Sequence, residues 1–188
     1  MQKTCDGYEQ CPDTKAYPVP VRCNTAAQTN GFIYPATTGD HLTTAVIVEE
    51  NQRILMVNEI DNGINGWNQP AGHVEPGESL LDAARRETLE ETQYQVRLTG
   101  LVGIYQSVHP TTGIHYLRVC FTADQPEWVE NSPRDTDILA VDWLPLEQLL
   151  AGQYPLRSAL VSQALADYQA GQRYPLSLIH PMIAPGSL

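Results

Sequence analysis

The stretch from Gly72 to Tyr94, GHVEPGESLLDAARRETLEETQY, carries glutamates at fixed distances around one predicted helix. An α-helix has about 3.6 residues per turn, so Glu87, Glu90 and Glu91 fall within an arc of roughly 100° on one face. Carboxylates that share a face repel each other unless a cation lies among them. Hard divalent cations such as Mg2+ prefer oxygen ligands of this kind. A solvated acidic face is the ordinary alternative, and the carboxylates alone do not decide between the two.

The residues around these carboxylates follow a longer pattern. Gly72 is followed by five residues and a glutamate, then by seven residues and Arg-Glu, then by two residues and Glu-Glu. This order resembles the signature of the Nudix hydrolases, a family that cleaves diphosphate linkages joined to another group and uses Mg2+ or Mn2+. The resemblance favours a metal site over a solvated helix face.

Two positions depart from the family pattern. An aliphatic residue usually follows the Arg-Glu pair, where this chain has Thr88, and a glycine usually stands where it has Gln93. By helical geometry Thr88 projects with Leu81 and Ala84, so it is expected to weaken core packing and not the chemistry. A glycine at the later position suits a left-handed helix end, which Gln tolerates less well. We therefore expect a small stability cost and an intact site.

The resemblance also implies a role for each residue of the pattern. Glu90 and Glu91 match the ligands most often bound to the metal, and Glu87 matches a ligand or the base that orients the attacking water. The carbonyl of Gly72 commonly adds a further oxygen ligand. Two residues match the pair that holds the loop and the helix in place: Glu78 and Arg86.

A carboxylate from outside the pattern often completes the metal site in this family. Asp135 and Asp137 stand just before a predicted strand, where the family often has an acidic pair. We expect Asp137 to be the additional metal ligand and rank Asp135 below it. The alternative is that both aspartates only mark a polar turn.

Candidate substrate contacts lie before the pattern and in a later strand. Trp67 could stack on a base or pack in the core, and Asn68 and Gln69 could hydrogen-bond a polar ring. Arg118 stands among apolar neighbours, where an unpaired charge is costly, so it needs an acidic partner or a substrate phosphate. These four residues are predicted to bind substrate.

Charge and composition exclude several classes of function. The net charge is −11, and residues 37–188 contain no lysine. A protein that binds the nucleic-acid backbone needs clustered basic residues, so no nucleic-acid partner is expected. No run approaches the roughly 20 apolar residues of a membrane span, and the first 30 residues do not resemble a secretory signal. Cytoplasmic residence is therefore expected, the family resemblance implies a small phosphorylated substrate, and no oligomeric state is predicted.

The N-terminal segment differs from the rest of the chain. Residues 1–37 are rich in Thr, Asn, Gln, Gly and Pro with little periodicity, which indicates a poorly ordered extension before a domain at 38–188. The spacing of Cys5, Cys11 and Cys23 matches no standard zinc pattern, so we interpret them as exposed thiols. Cys120 lies in a strand-like run and is expected to be buried.

The periodicity of residues 38–188 predicts a mixed α/β domain. A helix is expected from Glu78 or Ser79 to Thr92, and Asp124–Pro133 is expected to be a polar loop. This agrees with the Nudix fold, a mixed β-sheet sandwiched between helices. The remaining predicted elements are the strands 42–49, 53–57, 71–74, 97–108, 114–122 and 138–144 and the helices 146–151 and 157–170.

Motifs outside the signature narrow the resemblance within the family. The segments WNQPAGH, RDTDILAVDWL and LRSALVSQALADYQAGQRYPLSLI resemble those of a bacterial phosphatase of the Nudix family over about residues 38–180. This resemblance implies release of orthophosphate from nucleoside tri- and diphosphates, and action on hydroxymethylpyrimidine diphosphate and thiamine diphosphate. Two alternatives stay open. One is a Nudix enzyme specific for ADP-ribose or a dinucleoside polyphosphate, and the other is a non-catalytic module that senses nucleotides.

Overall fold

The computed structural model describes residues 28–29, 32–33, 41–61, 64–109 and 113–180. The chain divides into two units between Thr38 and Gly39. In the first unit, strand β1 (Gln28–Thr29) pairs antiparallel with β2 (Phe32–Ile33). Apart from these four residues, the segment 1–37 and its three cysteines lie outside the described residues, so the predicted poor order and the exposed thiols stay predictions.

The second unit contains a seven-stranded mixed sheet. Its strands in chain order are β3 (His41–Glu50), β4 (Arg53–Asp61), β5 (Ile64–Asn68), β6 (Ala71–His73), β7 (Tyr94–Val108), β8 (His115–Trp128) and β9 (Ile138–Pro145). The strands follow the order β5-β4-β3-β8-β7, with β6 paired to β3 and β9 paired to β4. Only β3 and β8 run parallel, and every other pairing in this sheet is antiparallel.

Helices cover both faces of this sheet. In the described residues the α-helices are α1 (Leu80–Thr92), α2 (Leu146–Leu150) and α3 (Ala159–Gln169), and Leu176–Leu178 form a 3-10 turn. Strand β3 is buried from Thr43 to Val48 because its alternate side chains enter two separate cores. Ala45 and Ile47 pack with α2 and α3, whereas Val46 and Val48 pack with α1. The predicted fold class, a mixed sheet between helices, is confirmed.

Helix α1 begins and ends where the sequence predicts. Ser79 caps its first turn by accepting a hydrogen bond from the Asp82 N–H. Gln93 follows its last turn in the left-handed conformation, with φ 63°, and its N–H donates to the Leu89 carbonyl. The family's glycine would adopt this conformation without strain, so the predicted reason for glycine at this position is confirmed.

Thr88 is completely buried, and its hydroxyl donates to the Ala84 carbonyl one turn earlier at 2.7 Å. Thr88→Val would remove this local bond and place a methyl group in the core. Because the two effects oppose each other, we expect the free energy of unfolding to change by less than about 1 kcal/mol, with unchanged activity. Urea unfolding and an activity assay check this. A loss of activity would show that Thr88 contributes to the site and not only to packing.

Most predicted elements are present. The prediction of a polar loop at Asp124–Pro133 is wrong for residues 124–128, because β8 continues to Trp128 and pairs it with Tyr94 of β7. A bulge and a positive φ of 52° at Gln125 accommodate Pro126, which lies where β8 has only β7 as a neighbour. Strand β5 was not predicted. Cys120 is buried, as expected. None of the helices in the described ranges is long and apolar enough to span a membrane.

Candidate active site

Strand β6 and helix α1 carry the signature residues and are fixed to each other. Strand β6 pairs with β3, so that Gly72 lies opposite Thr44. The N–H of Ala71 donates to Glu91 Oε2 at 2.9 Å, which ties the last turns of α1 to β6. A short loop with a turn at Glu75–Glu78 joins the two elements. The site is therefore anchored to a central strand of the sheet.

The guanidinium of Arg86 connects four groups of this site. Its Nε and Nη2 donate to the two oxygens of Glu78 at 2.8 Å each, a bidentate pair. Its Nη1 donates to Glu87 at 2.8 Å and to Glu90 at 3.0 Å, and its Nη2 also reaches the His73 carbonyl at 2.9 Å. The hydrogen bonds from Arg86 lower the pKa of Glu78. Arg86 thereby holds the loop against the helix.

Glu91 differs from its neighbours in burial. Glu91 is buried, whereas Glu87 is half-buried and Glu90 is exposed. Burial raises the pKa of Glu91 well above its usual range, and the hydrogen bond from Ala71 opposes this only in part. The charge of Glu59 raises it further. Burial also raises the pKa of Glu87, against the lowering effect of Arg86.

This donor set fits a hard divalent cation. Buried carboxylates with raised pKa values gain most from a cation, because it removes both the desolvation cost and their mutual repulsion. Gly72 adds a second indication of a cation site. A Cβ at this position would overlap the carboxylate of Glu87, so the glycine lets its backbone lie close to that carboxylate. In the described part of the chain no three ligand-type side chains converge on one point, because Glu87 and Glu90 turn toward Arg86. Metal binding therefore requires these two carboxylates to share or leave the guanidinium.

The two aspartates outside the signature lie at the C-terminal end of α1. The N–H of Asp135 donates to the Glu90 carbonyl at 2.8 Å, and the N–H of Asp137 donates to Asp135 Oδ1 at 3.1 Å. Both aspartates are exposed. The charge of Asp135 is among those that raise the pKa of Glu91. The structure thus brings Asp135 within electrostatic reach of the site.

The four predicted substrate residues separate into two pairs. Trp67 is half-buried and meets the Tyr154 ring edge to face at 6.3 Å between centroids. Gln69 is completely buried, and its amide donates to the Val161 carbonyl at 3.4 Å. Both residues are thereby engaged in packing against the α3 side of the sheet. Asn68 and Arg118 instead meet each other, with Arg118 Nη1 donating to Asn68 Oδ1 at 3.3 Å.

Asn68 and Arg118 belong to a larger group, which we call the polar cluster, formed by Glu59, Asn68, Arg118 and Arg157. Asn68 Nδ2 donates to Glu59 Oε1 at 2.9 Å, and Arg157 Nη1 lies 3.4 Å from the same oxygen. The charges of Glu59, Glu91 and Arg157 all act on Arg118. The polar cluster is therefore electrostatically linked to the signature carboxylates.

Sequence reasoning missed Glu59 because the predicted strand ended at Val57. Strand β4 continues to Asp61 and pairs Glu59 with Gly66 of β5. A Cβ at Gly66 would lie only 2.9 Å from the Arg157 Cα. The missing side chain at Gly66 thus lets the segment before α3 approach β5 and place Arg157 beside Glu59. The Asn-Gly steps around β5 were the available signal for such a hairpin.

Comparison with known proteins agrees with the fold and assigns the chain to a family. The NUDIX domain family profile matches residues 39–165, and the chain belongs to the Nudix family. It is similar to the protein named Phosphatase NudJ of Escherichia coli K12, with 37% identity over 139 residues that cover 74% of this chain and 90% of that protein. The Shigella flexneri protein of the same name gives the same values. The chain is thus a Nudix hydrolase that acts on phosphoanhydride substrates.

Solved structures give the same assignment. A NUDIX hydrolase from Nitrosomonas europaea superposes with a TM-score of 0.72 at 37% identity, covering 79% of this chain and all of that one. The NUDIX domain of Shewanella oneidensis NrtR, solved with ADP ribose, superposes with a TM-score of 0.59 at 20% identity. The second likeness concerns the fold alone.

Proposed function

We propose that this protein is a Mg2+-dependent phosphohydrolase that releases orthophosphate from nucleoside tri- and diphosphates and from hydroxymethylpyrimidine or thiamine diphosphate. The observation that carries this proposal is the buried carboxylate of Glu91, which accepts a hydrogen bond from the Ala71 N–H and lies among further carboxylates. Such a group is stabilised by a cation and, through it, by a phosphate. The likeness to Phosphatase NudJ supports the substrate class. Cytoplasmic residence stays a prediction.

The cation would be held by the Gly72 carbonyl and by Glu87, Glu90 and Glu91. Mg2+, or Mn2+ in its place, supplies charge neutralisation at the phosphate oxygens and acidifies the attacking water. Glu91 accepts a hydrogen bond from the Ala71 N–H, which would hold this ligand in place. Glu87 combines partial burial with a raised pKa, which suits a group that accepts the proton of the water. Arg86 keeps Glu87 oriented.

The reaction displaces one phosphoryl group. The oxygen of a water attacks the terminal phosphorus, the bridging P–O bond breaks, and the bridging oxygen leaves with the rest of the substrate. Orthophosphate therefore carries the oxygen of the water. The protein contributes mainly position and charge complementarity.

The experiment is a phosphate-release screen in water enriched in 18O, with Mg2+, Mn2+ or EDTA. We expect one 18O atom in orthophosphate and none in the nucleoside monophosphate made from a diphosphate, with no turnover in EDTA. Nucleoside monophosphate as the first product from ADP-ribose or a dinucleoside polyphosphate would replace this proposal with another Nudix specificity. Tight binding of a nucleotide without hydrolysis would replace it with a sensing module.

The additional carboxylate can be identified by a matched pair of substitutions. We propose Asp135 for this role in preference to Asp137, because the charge of Asp135 acts on Glu91. Asparagine preserves the local hydrogen bonds of both residues. Asp135→Asn is expected to lower kcat about 10-fold, and Asp137→Asn less than about 2-fold, measured by phosphate release at saturating Mg2+. A larger loss in Asp137→Asn would assign the role to Asp137.

A further inference from the structure

The polar cluster contains one arginine whose charge has no close partner. Arg118 lies on β8 with β3 and β7 on either side, paired in register with Thr43 and Tyr105. Its Nη1 donates to Asn68, while its Nε is buried without a hydrogen-bond partner. In the part of the chain that the structure describes, Arg118 forms no ion pair within 4.0 Å. A buried donor in this state costs folding free energy, because its bond to water is not replaced.

The other members of the polar cluster are already committed to each other. Glu59 Oε1 accepts from Asn68 and lies 3.4 Å from Arg157. Glu91 is the other carboxylate whose charge acts on Arg118, and the proposed function assigns Glu91 to the cation. Arg118 is then left without a matching anion.

A second unsatisfied group lies at a neighbouring position. The hydroxyl of Thr43 is buried and lacks a hydrogen-bond partner. Side chains at paired positions of adjacent strands point to the same face of a sheet, so Thr43 and Arg118 share a face. Two buried polar groups that can donate and lack an acceptor are complementary to an anionic oxygen. The side chains of Glu59 and Arg157 are 20% and 21% exposed, so the polar cluster is open to solvent at one side.

We propose that the polar cluster binds a phosphate group of the substrate that is not the one under attack. Arg118 contacts the phosphate oxygen, and Glu59 is a positioning residue that acts through Asn68 and Arg157. The phosphate bound here stays on the product. This proposal rests on the proposed function in requiring a phosphorylated substrate and in assigning Glu91 to the cation. The arginine and the signature carboxylates then recognise two different phosphates of one molecule.

Binding of monophosphates, which are not hydrolysed, tests this proposal without turnover. The ligands are AMP and CMP, each compared with its nucleoside, titrated in Mg2+ by ligand-detected NMR. Arg118→Met is expected to weaken binding of both monophosphates roughly 10-fold to 100-fold, the range for a charge-assisted hydrogen bond. Adenosine and cytidine are expected to bind as they do to the wild type. Arg118→Lys, which keeps the charge but loses the planar fork, should give an intermediate affinity.

Control variants separate this effect from overall charge and from stability. Arg53→Met removes a positive charge from the opposite end of β4, where Arg53 donates to the Trp143 carbonyl, and should leave monophosphate binding unchanged. Glu59→Gln is expected to weaken monophosphate binding less than Arg118→Met does. Because Arg118→Met removes an unsatisfied buried donor, its Tm should equal or exceed that of the wild type.

Three results would overturn the proposal. The first is unchanged monophosphate affinity in Arg118→Met. The second is a loss of nucleoside affinity equal to the loss of monophosphate affinity, which would assign Arg118 to the base. The third is absence of monophosphate binding to the wild type. The phosphate-release screen fails independently of these results. A protein that releases no orthophosphate but binds monophosphates through Arg118 would refute the proposed function and keep this subsite.

Discussion

Glu91→Gln is expected to lower Mg2+-dependent phosphate release by at least about 100-fold, the effect of removing one group that stabilises transition-state charge. Glutamine keeps an acceptor oxygen for the Ala71 N–H, so the tie between β6 and α1 is retained. The fold should therefore remain while the anionic ligand is lost. The assay compares initial rates at saturating substrate over a range of Mg2+ concentrations. Equal rates for variant and wild type would refute the metal site.

Thermal unfolding of the same variant gives a second readout. In the absence of metal, Glu91→Gln should be as stable as the wild type or more stable, because a buried carboxylate with a raised pKa is replaced by a neutral group. Added Mg2+ should raise the Tm of the wild type and leave the variant nearly unchanged. Glu127→Gln, an exposed change at the end of β8, is the matched control and should behave as the wild type.

Gly72→Ala is expected to reduce activity about 100-fold, the effect of a displacement of about 1 Å in a catalytic group. The new methyl group would overlap the carboxylate of Glu87, which is the far end of a flexible side chain and can move aside. Glu87 would then leave its position, while the pairing of β6 with β3 remains. Initial rates and urea unfolding of the variant measure the two effects. We expect the loss to fall on kcat, with a stability change below about 1 kcal/mol.

A double substitution identifies the route of this effect. If Gly72→Ala acts through Glu87, then adding Glu87→Gln should cause little further loss, because the two changes disable the same group. Gly152→Ala is the opposite control. Its φ of 71° strains an alanine, but nothing lies near the added methyl group. Gly152→Ala should lower the free energy of unfolding by about 1 kcal/mol and leave the activity unchanged. If the effects of Gly72→Ala and Glu87→Gln were fully additive, Gly72→Ala would act through a group other than Glu87.

Helix α1 and its cap could be predicted because their signals are local. Ser79 and the residue spacing fix the helix, and the left-handed conformation of Gln93 follows from the glycine that it replaces. The continuation of β8 to Trp128 could not be predicted, because Asp124, Gln125 and Pro126 are typical of a loop. Only pairing with the start of β7 makes that segment a strand.

The polar cluster shows the same limit within the site. Asn68 and Arg118 were predicted as substrate residues one by one, and nothing in the sequence places them together. Glu59 lies beside them because β4 extends past its apolar run. Arg157 lies beside them because Gly66 leaves space for the Arg157 backbone. These causes are tertiary. The packing of Trp67 and Gln69 is tertiary too, because it depends on α3 covering the sheet.

The short connection between β5 and β6 has a consequence for how such an enzyme can acquire new substrates. Only Gln69 and Pro70 separate Asn68 from Ala71, and the Pro70 carbonyl accepts a hydrogen bond from the Val46 N–H. A change within this connection would disturb the polar cluster and the signature carboxylates together. Glu59 and Arg157 lie on other segments and can vary without moving the signature. Evolution or directed selection should therefore find new specificities at those two positions sooner than within the connection.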